Sequence, residues 1–210
     1  MKVIIGIATR GTDIHYSLIA YLLNLQKQSK HDIHIILAQC SISPYIAQMT
    51  LLENALKETF DYFFFIDSDV CPPDGAIDKI IEINGDIVTI PVWHYDENTQ
   101  EVHLNASING SRIYSYGKGI EQIIHTSFAC VGIKKSVFDK FIQHKQNPLK
   151  WDNTLVHELK NVGSDTIFFR KCARLEIPVY INWDIRGAIH YKTIALSDKV
   201  INDIQTNINK

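Results

Sequence analysis

The chain has 210 residues, 46% hydrophobic and 21% charged, a balance that fits a soluble globular protein and excludes a disordered or low-complexity one. With 21 Lys+Arg against 23 Asp+Glu the formal net charge is −2, so there is no general positive field for nucleic acid, and an anionic ligand must be held by local groups. Cys40, Cys71, Cys130 and Cys172 lack paired spacing and predict reduced thiols in a cytoplasmic protein, and no apolar run is long enough to span a membrane.

Val3 to Thr9 is a continuous apolar run, as expected of a strand covered on both faces. Asp13 then opens a predicted helix with Ile14, Leu18, Tyr21, Leu22 and Leu25 on one side. Ile33 to Ala38 repeats the strand pattern. Ser43-Pro44 reads as an N-cap followed by proline at the first helical position, with Ile46, Met49, Leu52 and Leu56 as the apolar stripe. The third strand, Tyr62-Phe63-Phe64-Phe65-Ile66, ends at Asp67. Strand, helix, strand, helix, strand predicts a parallel half-sheet with right-handed crossovers.

A short helix near Ile77 to Ile83 and a fourth strand from Ile87 to Val92 follow. Asn109-Gly110 marks a hairpin between Ala106-Ser107-Ile108 and Arg112-Ile113-Tyr114. Ile123 to Ile133 reads as one strand, Lys135 to Gln143 as a helix, and 143–153 as a polar loop. Ser164 opens a helix to about Leu175, and Val179 to Ile181 is expected to be the last strand.

The feature with most chemical content is Asp67-Ser68-Asp69. Side chains two apart on a strand point the same way, so both carboxylates can converge at the sheet's edge, where open α/β sheets place ligands. Two like charges there repel unless something positive lies between them. A hard divalent cation, Mn²⁺ or Mg²⁺, is the simplest candidate, and it would usually bring a phosphate with it. The alternative is that one aspartate caps a helix started by Pro72-Pro73 while the other faces water.

Four stretches carry a resemblance over nearly the whole length: Ile5-Gly-Ile-Ala-Thr-Arg10, Phe63-Phe-Phe-Ile-Asp-Ser-Asp-Val-Cys-Pro-Pro73, Gly163-Ser-Asp-Thr-Ile-Phe-Phe168 and Asp184-Ile-Arg-Gly-Ala-Ile-His190. In this order they resemble GT-A-fold glycosyltransferases of the family 2-like group, and the small size resembles compact glycosyltransferase domains of large algal DNA viruses. The resemblance implies a single α/β domain over 1–210, with a mostly parallel central sheet flanked by helices and a smaller antiparallel hairpin region. Its nucleotide-binding half would be 1–92 and its acceptor-binding half 93–210. For a viral protein the location would be the host cytoplasm.

The resemblance also implies roles. Asp67 and Asp69, with Ser68 between them, would hold the cation against the diphosphate of a nucleotide sugar, UDP-linked by preference, and His190 would complete the metal shell. Thr9 and Arg10 would contact base, ribose or phosphate, and Lys192 the diphosphate. Gln48-Met49 stands where many relatives carry Arg-Asn. Asp165 would be the general base toward a glycan hydroxyl. The opposing view is that Ser164 is an N-cap and Asp165 only favours the helix dipole. Trp93, His94, Tyr95 and Trp151 are candidate acceptor contacts, with core packing the alternative for Trp93, and Thr126 is a weaker one beside His125 and Ser127.

Other function classes stay open. A phosphatase with an Asp-x-Asp strand end would continue with Thr or Val where Cys71 and Pro72 stand. A nucleotide-sugar pyrophosphorylase would need a Gly-rich, lysine-bearing first loop. A carbohydrate-binding module is the non-enzymatic alternative.

Overall fold

The computed structural model describes residues 1–9, 13–40, 43–96, 101–108, 111–113, 115–150 and 163–191. Arg10, Trp151 and Lys192 lie outside the described residues, and so does the side chain of Tyr95.

Strand β1 (Lys2–Thr9) lies between β2 (Asp32–Gln39) and β3 (Tyr62–Asp67), parallel to both. The crossovers are α1 (Tyr16–Gln28) and α2 (Pro44–Ala55). Helix α1 buries Leu18, Tyr21, Leu22 and Leu25, the expected face, but starts later than Asp13 suggests: the N-cap is His15, whose Nδ1 accepts from the Ser17 N–H at 3.3 Å. In α2, Ser43 and Pro44 hold the expected N-cap and first-turn positions. The buried face is Ala47, Gln48, Met49, Leu51, Leu52 and Ala55, while Ile46 is exposed. Met49 and Leu52 of the expected stripe are thus buried and Leu56 packs against the core, and Ile46 alone of the four points to solvent.

After β3 the chain makes β4 (Val70–Cys71), α3 (Ala76–Ile83), β5 (Ile87–Thr89) and β6 (Val92–Asp96). The expected fourth strand is therefore two: at Ile90-Pro91 the chain leaves the central sheet for a second one. Strands β7 (Glu101–Ile108) and β8 (Ser111–Ile113) form the expected hairpin, with Ile108 opposite Ser111 and the turn itself, 109–110, outside the described residues.

The expected single strand from Ile123 to Ile133 is broken into β9 (Ile120–Ile123), β10 (His125–Thr126) and β11 (Cys130–Lys134). It breaks because β9 and β11 belong to the central sheet and β10 to the second. Helices α4 (Lys135–Gln143) and α5 (Ser164–Arg174) match the periodic reading. Strand β12 (Val179–Asn182) is followed by one more, β13 (Ala188–His190).

The fold is mixed α/β with a large central sheet flanked by helices. The sheet runs β2-β1-β3-β11-β5-β12-β9: parallel through β2-β1-β3 and mixed beyond, since β11 is antiparallel to both β3 and β5. The second sheet, β10-β7-β6-β13-β4, is larger than a lone hairpin. Alternation along β3 builds two cores. Phe63 and Phe65 face α2, α4, α5 and the second sheet, whereas Phe64 and Ile66 face α1 and α3. The free thiols fit the expectation of reduced cysteines, Cys130 and Cys172 being buried. Among the described residues, no helix is long and apolar enough to cross a membrane.

Candidate functional site

The turn after β3 is clamped by three backbone hydrogen bonds. Asp67 N–H donates to Ala129 C=O (3.1 Å), Ser68 C=O accepts from His15 N–H (2.8 Å), and Asp69 C=O accepts from Tyr191 N–H (2.9 Å). Strand, helix cap and final strand thus all converge on Asp67-Ser68-Asp69. The cap alternative fails on geometry: β4 intervenes, and α3 begins only at Ala76 behind Gly75, which takes φ 72° as its N-cap. Gly75 is used because a side chain there would be strained in the left-handed region.

Strand β13 is what brings His190 to the aspartates. It runs antiparallel to β4, with His190 opposite Val70 and Ile189 opposite Cys71, and parallel to β6. The imidazole then lies between the two carboxylates, Nε2 3.4 Å from Asp67 Oδ2 and Nδ1 3.3 Å from Asp69 Oδ2. Asp69 and Ser68 are buried, while Asp67 is partly open to the cleft. That cleft, about 340 Å³, is lined by Ala8, Pro44, Gln48, Asp67, Ser68, Asp69 and His190.

Two carboxylate oxygens and an imidazole nitrogen suit a small hard divalent ion that keeps other positions for phosphate and water. The two contacts use opposite nitrogens of the ring, so His190 bridges the carboxylates here and only one of its nitrogens could face a shared ion. Among the described residues, no three His, Cys, Asp or Glu side chains are grouped so as to hold a metal ion together, so a cation here would rest on the two aspartates and on its own phosphate and water ligands.

At the other wall, α5 starts differently from the sequence expectation. Gly163 is the N-cap and Ser164 the first helical residue, and Ser164 caps nothing: its hydroxyl donates to Gln48 Oε1 on α2. Asp165 follows, its Oδ1 accepting from the Thr166 N–H at 2.7 Å. Burial pushes the Asp165 carboxyl above the usual aspartate range, and the Asp67 charge adds to this, while the Thr166 N–H and His125 oppose it. His125 sits beside this group, its Nε2 3.0 Å from Thr166 Oγ1, and burial holds its imidazole below the ordinary histidine value. Asp165 is near enough to Asp67 to feel its charge, while the residue before it, Ser164, is bonded to Gln48 of the cleft wall.

Trp93 and Thr126 are corrections. Trp93 is 1% exposed, and its Nε1 donates to Tyr116 Oη at 2.8 Å, so its ring has no face to offer a sugar. Thr126 is fully buried with its hydroxyl donating to Asn105 C=O. His94, on the opposite face of β6 from Trp93, does reach the site: its ring lies 5.6 Å from His190 and 5.1 Å from His103. Thr9 is buried at the end of β1, and its neighbour Ala8 lines the cleft instead. His103 is not among the sequence expectations; it reaches the site as the cross-strand partner of His94, β6 against β7.

These features can be set beside known structures. The chain shares its fold with A197 from STIV. That crystal structure aligns with a TM-score of 0.59 at 16% identity, over 86% of this chain and 81% of A197. Two structures of S. aureus TarS 1-349, one in complex with UDP-GlcNAc, align more loosely, both with a TM-score of 0.48 and 10% identity. This chain covers 65% and 59% of those TarS chains, and so loose a likeness carries no functional argument. No protein-family model and no curated protein sequence matches the chain.

Proposed function

We propose that the protein is a metal-dependent glycosyltransferase that moves a sugar from a nucleotide-diphosphate donor, UDP-linked by preference, to a glycan hydroxyl. The observation that carries this reading is the convergence of Asp67, Asp69 and His190 at the carboxyl end of β3, in one cleft with the α2 side chain that is bonded to the helix of Asp165. Asp67 and Asp69 would hold the Mn²⁺ or Mg²⁺ ion, and His190, set between them, would orient both carboxylates. When bound, such an ion would supply positive charge against the leaving diphosphate. Asp165 takes the proton of the attacking hydroxyl; its raised affinity for protons, set by burial, suits it to that task.

A phosphatase reading has less support, because Cys71 is engaged in β4 beside β13 and the strand end is built around a histidine. The deciding experiment incubates the protein with a panel of nucleotide sugars, with Mn²⁺ or with chelator, and measures nucleoside diphosphate release. Release from one donor class only with metal is expected. Release that is equal in chelator, or none from any donor, contradicts the proposal.

A further inference from the structure

The transferred sugar must lie between its leaving diphosphate and the acceptor hydroxyl, and therefore between the Asp67/Asp69 end of the cleft and Asp165. Gln48 links those two ends. It lines the cleft together with Asp67, Ser68, Asp69 and His190, and its Oε1 accepts the hydroxyl of Ser164, the residue before Asp165. It is 7% exposed, so its carboxamide is fixed by packing on the inner face of α2. With Oε1 taken, the amide NH₂ has no hydrogen-bond partner among the described residues.

A neutral, directional donor is poorly matched to a metal-bound diphosphate, which calls for positive charge, and well matched to a hydroxyl or carbonyl oxygen on a sugar ring. Resting on the transferase reading, we infer that Gln48 is a specificity-determining residue: its NH₂ reads an oxygen substituent of the transferred hexose. The same side chain, through Ser164, sets the start of α5, so the sugar is recognised by the group that positions the base's helix. The amide is held by a partner on a different element, so it is preorganised and does not have to be ordered by the ligand.

The test is the binding of UDP and of a panel of UDP-hexoses to the whole chain in Mn²⁺, for the wild type, Gln48→Met and Ser164→Ala. Methionine keeps the length and apolar packing and removes the donor. The wild type should bind one hexose conjugate more tightly than UDP. In Gln48→Met, UDP affinity should stay within about twofold while the increment from the sugar falls by about tenfold or more, as when a site built to hydrogen-bond a group loses that bond. Ser164→Ala frees the amide to rotate and should shrink the increment by a smaller factor, which keeps the test alive if Gln48→Met folds poorly.

An unchanged increment in Gln48→Met, or equal weakening of UDP and UDP-hexose, overturns the inference while leaving the transferase reading intact. If folded Ser164→Ala is the only variant available, an unchanged increment there overturns it likewise. Failure of the wild type to bind any nucleotide in Mn²⁺ overturns the transferase reading, and this inference with it.

Discussion

Tyr191 donates its backbone N–H to the carbonyl oxygen of Asp69 at 2.9 Å, joining the end of the described C-terminal strand to the turn that follows β3. The bond places His190, one residue earlier, over both carboxylates, and His15 stacks on the Tyr191 ring at 4.3 Å and 6°. The site is thus held by backbone geometry as much as by charge, and substitutions that keep the backbone should alter chemistry before they alter folding.

Asp165→Asn should lower turnover by about 10²-fold or more with donor affinity kept, because only proton removal is lost. Single-turnover kinetics beside donor titration would check this. Normal turnover in the folded variant would leave Asp165 as a helix-terminus residue.

The same carboxyl makes a stability prediction of defined sign. Its folded pKa is raised by burial, so the native state binds the proton more tightly than the unfolded one. That contribution is full below the ordinary aspartate pKa of about 3.9 and is lost as pH rises through the raised value. Asp165→Asn removes it. The melting temperature of the variant relative to wild type should therefore climb as pH rises above about 4, and the acid limb of wild-type turnover should lie above the usual carboxylate range. A difference that stays flat with pH contradicts the raised pKa.

Gly163→Ala separates the site from the fold. At φ −65° the backbone accepts alanine, but the added Cβ would stand 2.5 Å from Asp165 Oδ1. The carboxylate can swing aside, so the melt should change little while turnover falls. Loss of stability with turnover kept would show that the contact is only structural.

Gly132→Ala should do the reverse. Its Cβ would meet Phe64 Cε1 at 2.6 Å and Ile80 Cγ2 at 2.8 Å, inside the core beneath β11. Overpacking there costs about 1–3 kcal/mol, measurable by urea unfolding, with metal and nucleotide affinities kept in the folded fraction.

The parallel β2-β1-β3 half and α4 were legible because each carries its own periodicity, and Asp67 and Asp69 were legible because they end an unbroken apolar run. The second sheet was not. Strands β4 and β13 are short and pair across large sequence separations, β13 with β4 and with β6, so no local pattern announces them; His190 came from resemblance alone. Trp93 and His94 could have been sorted by alternation along β6, which turns one inward and the other outward. Ser164 looked like an N-cap because serine before an acidic residue usually is one. The long-range partner Gln48 overrides that local preference.

The central claim is that Asp67 and Asp69 hold a cation which in turn holds a diphosphate. Its most direct measurement is the dissociation constant of UDP with Mn²⁺ and with chelator, for the wild type and Asp69→Asn. The account predicts binding by the wild type that is strongly metal-dependent, and an Asp69→Asn protein that melts close to wild type without ligand yet has lost that dependence. Equal UDP binding in Mn²⁺ and in chelator by the wild type would contradict it.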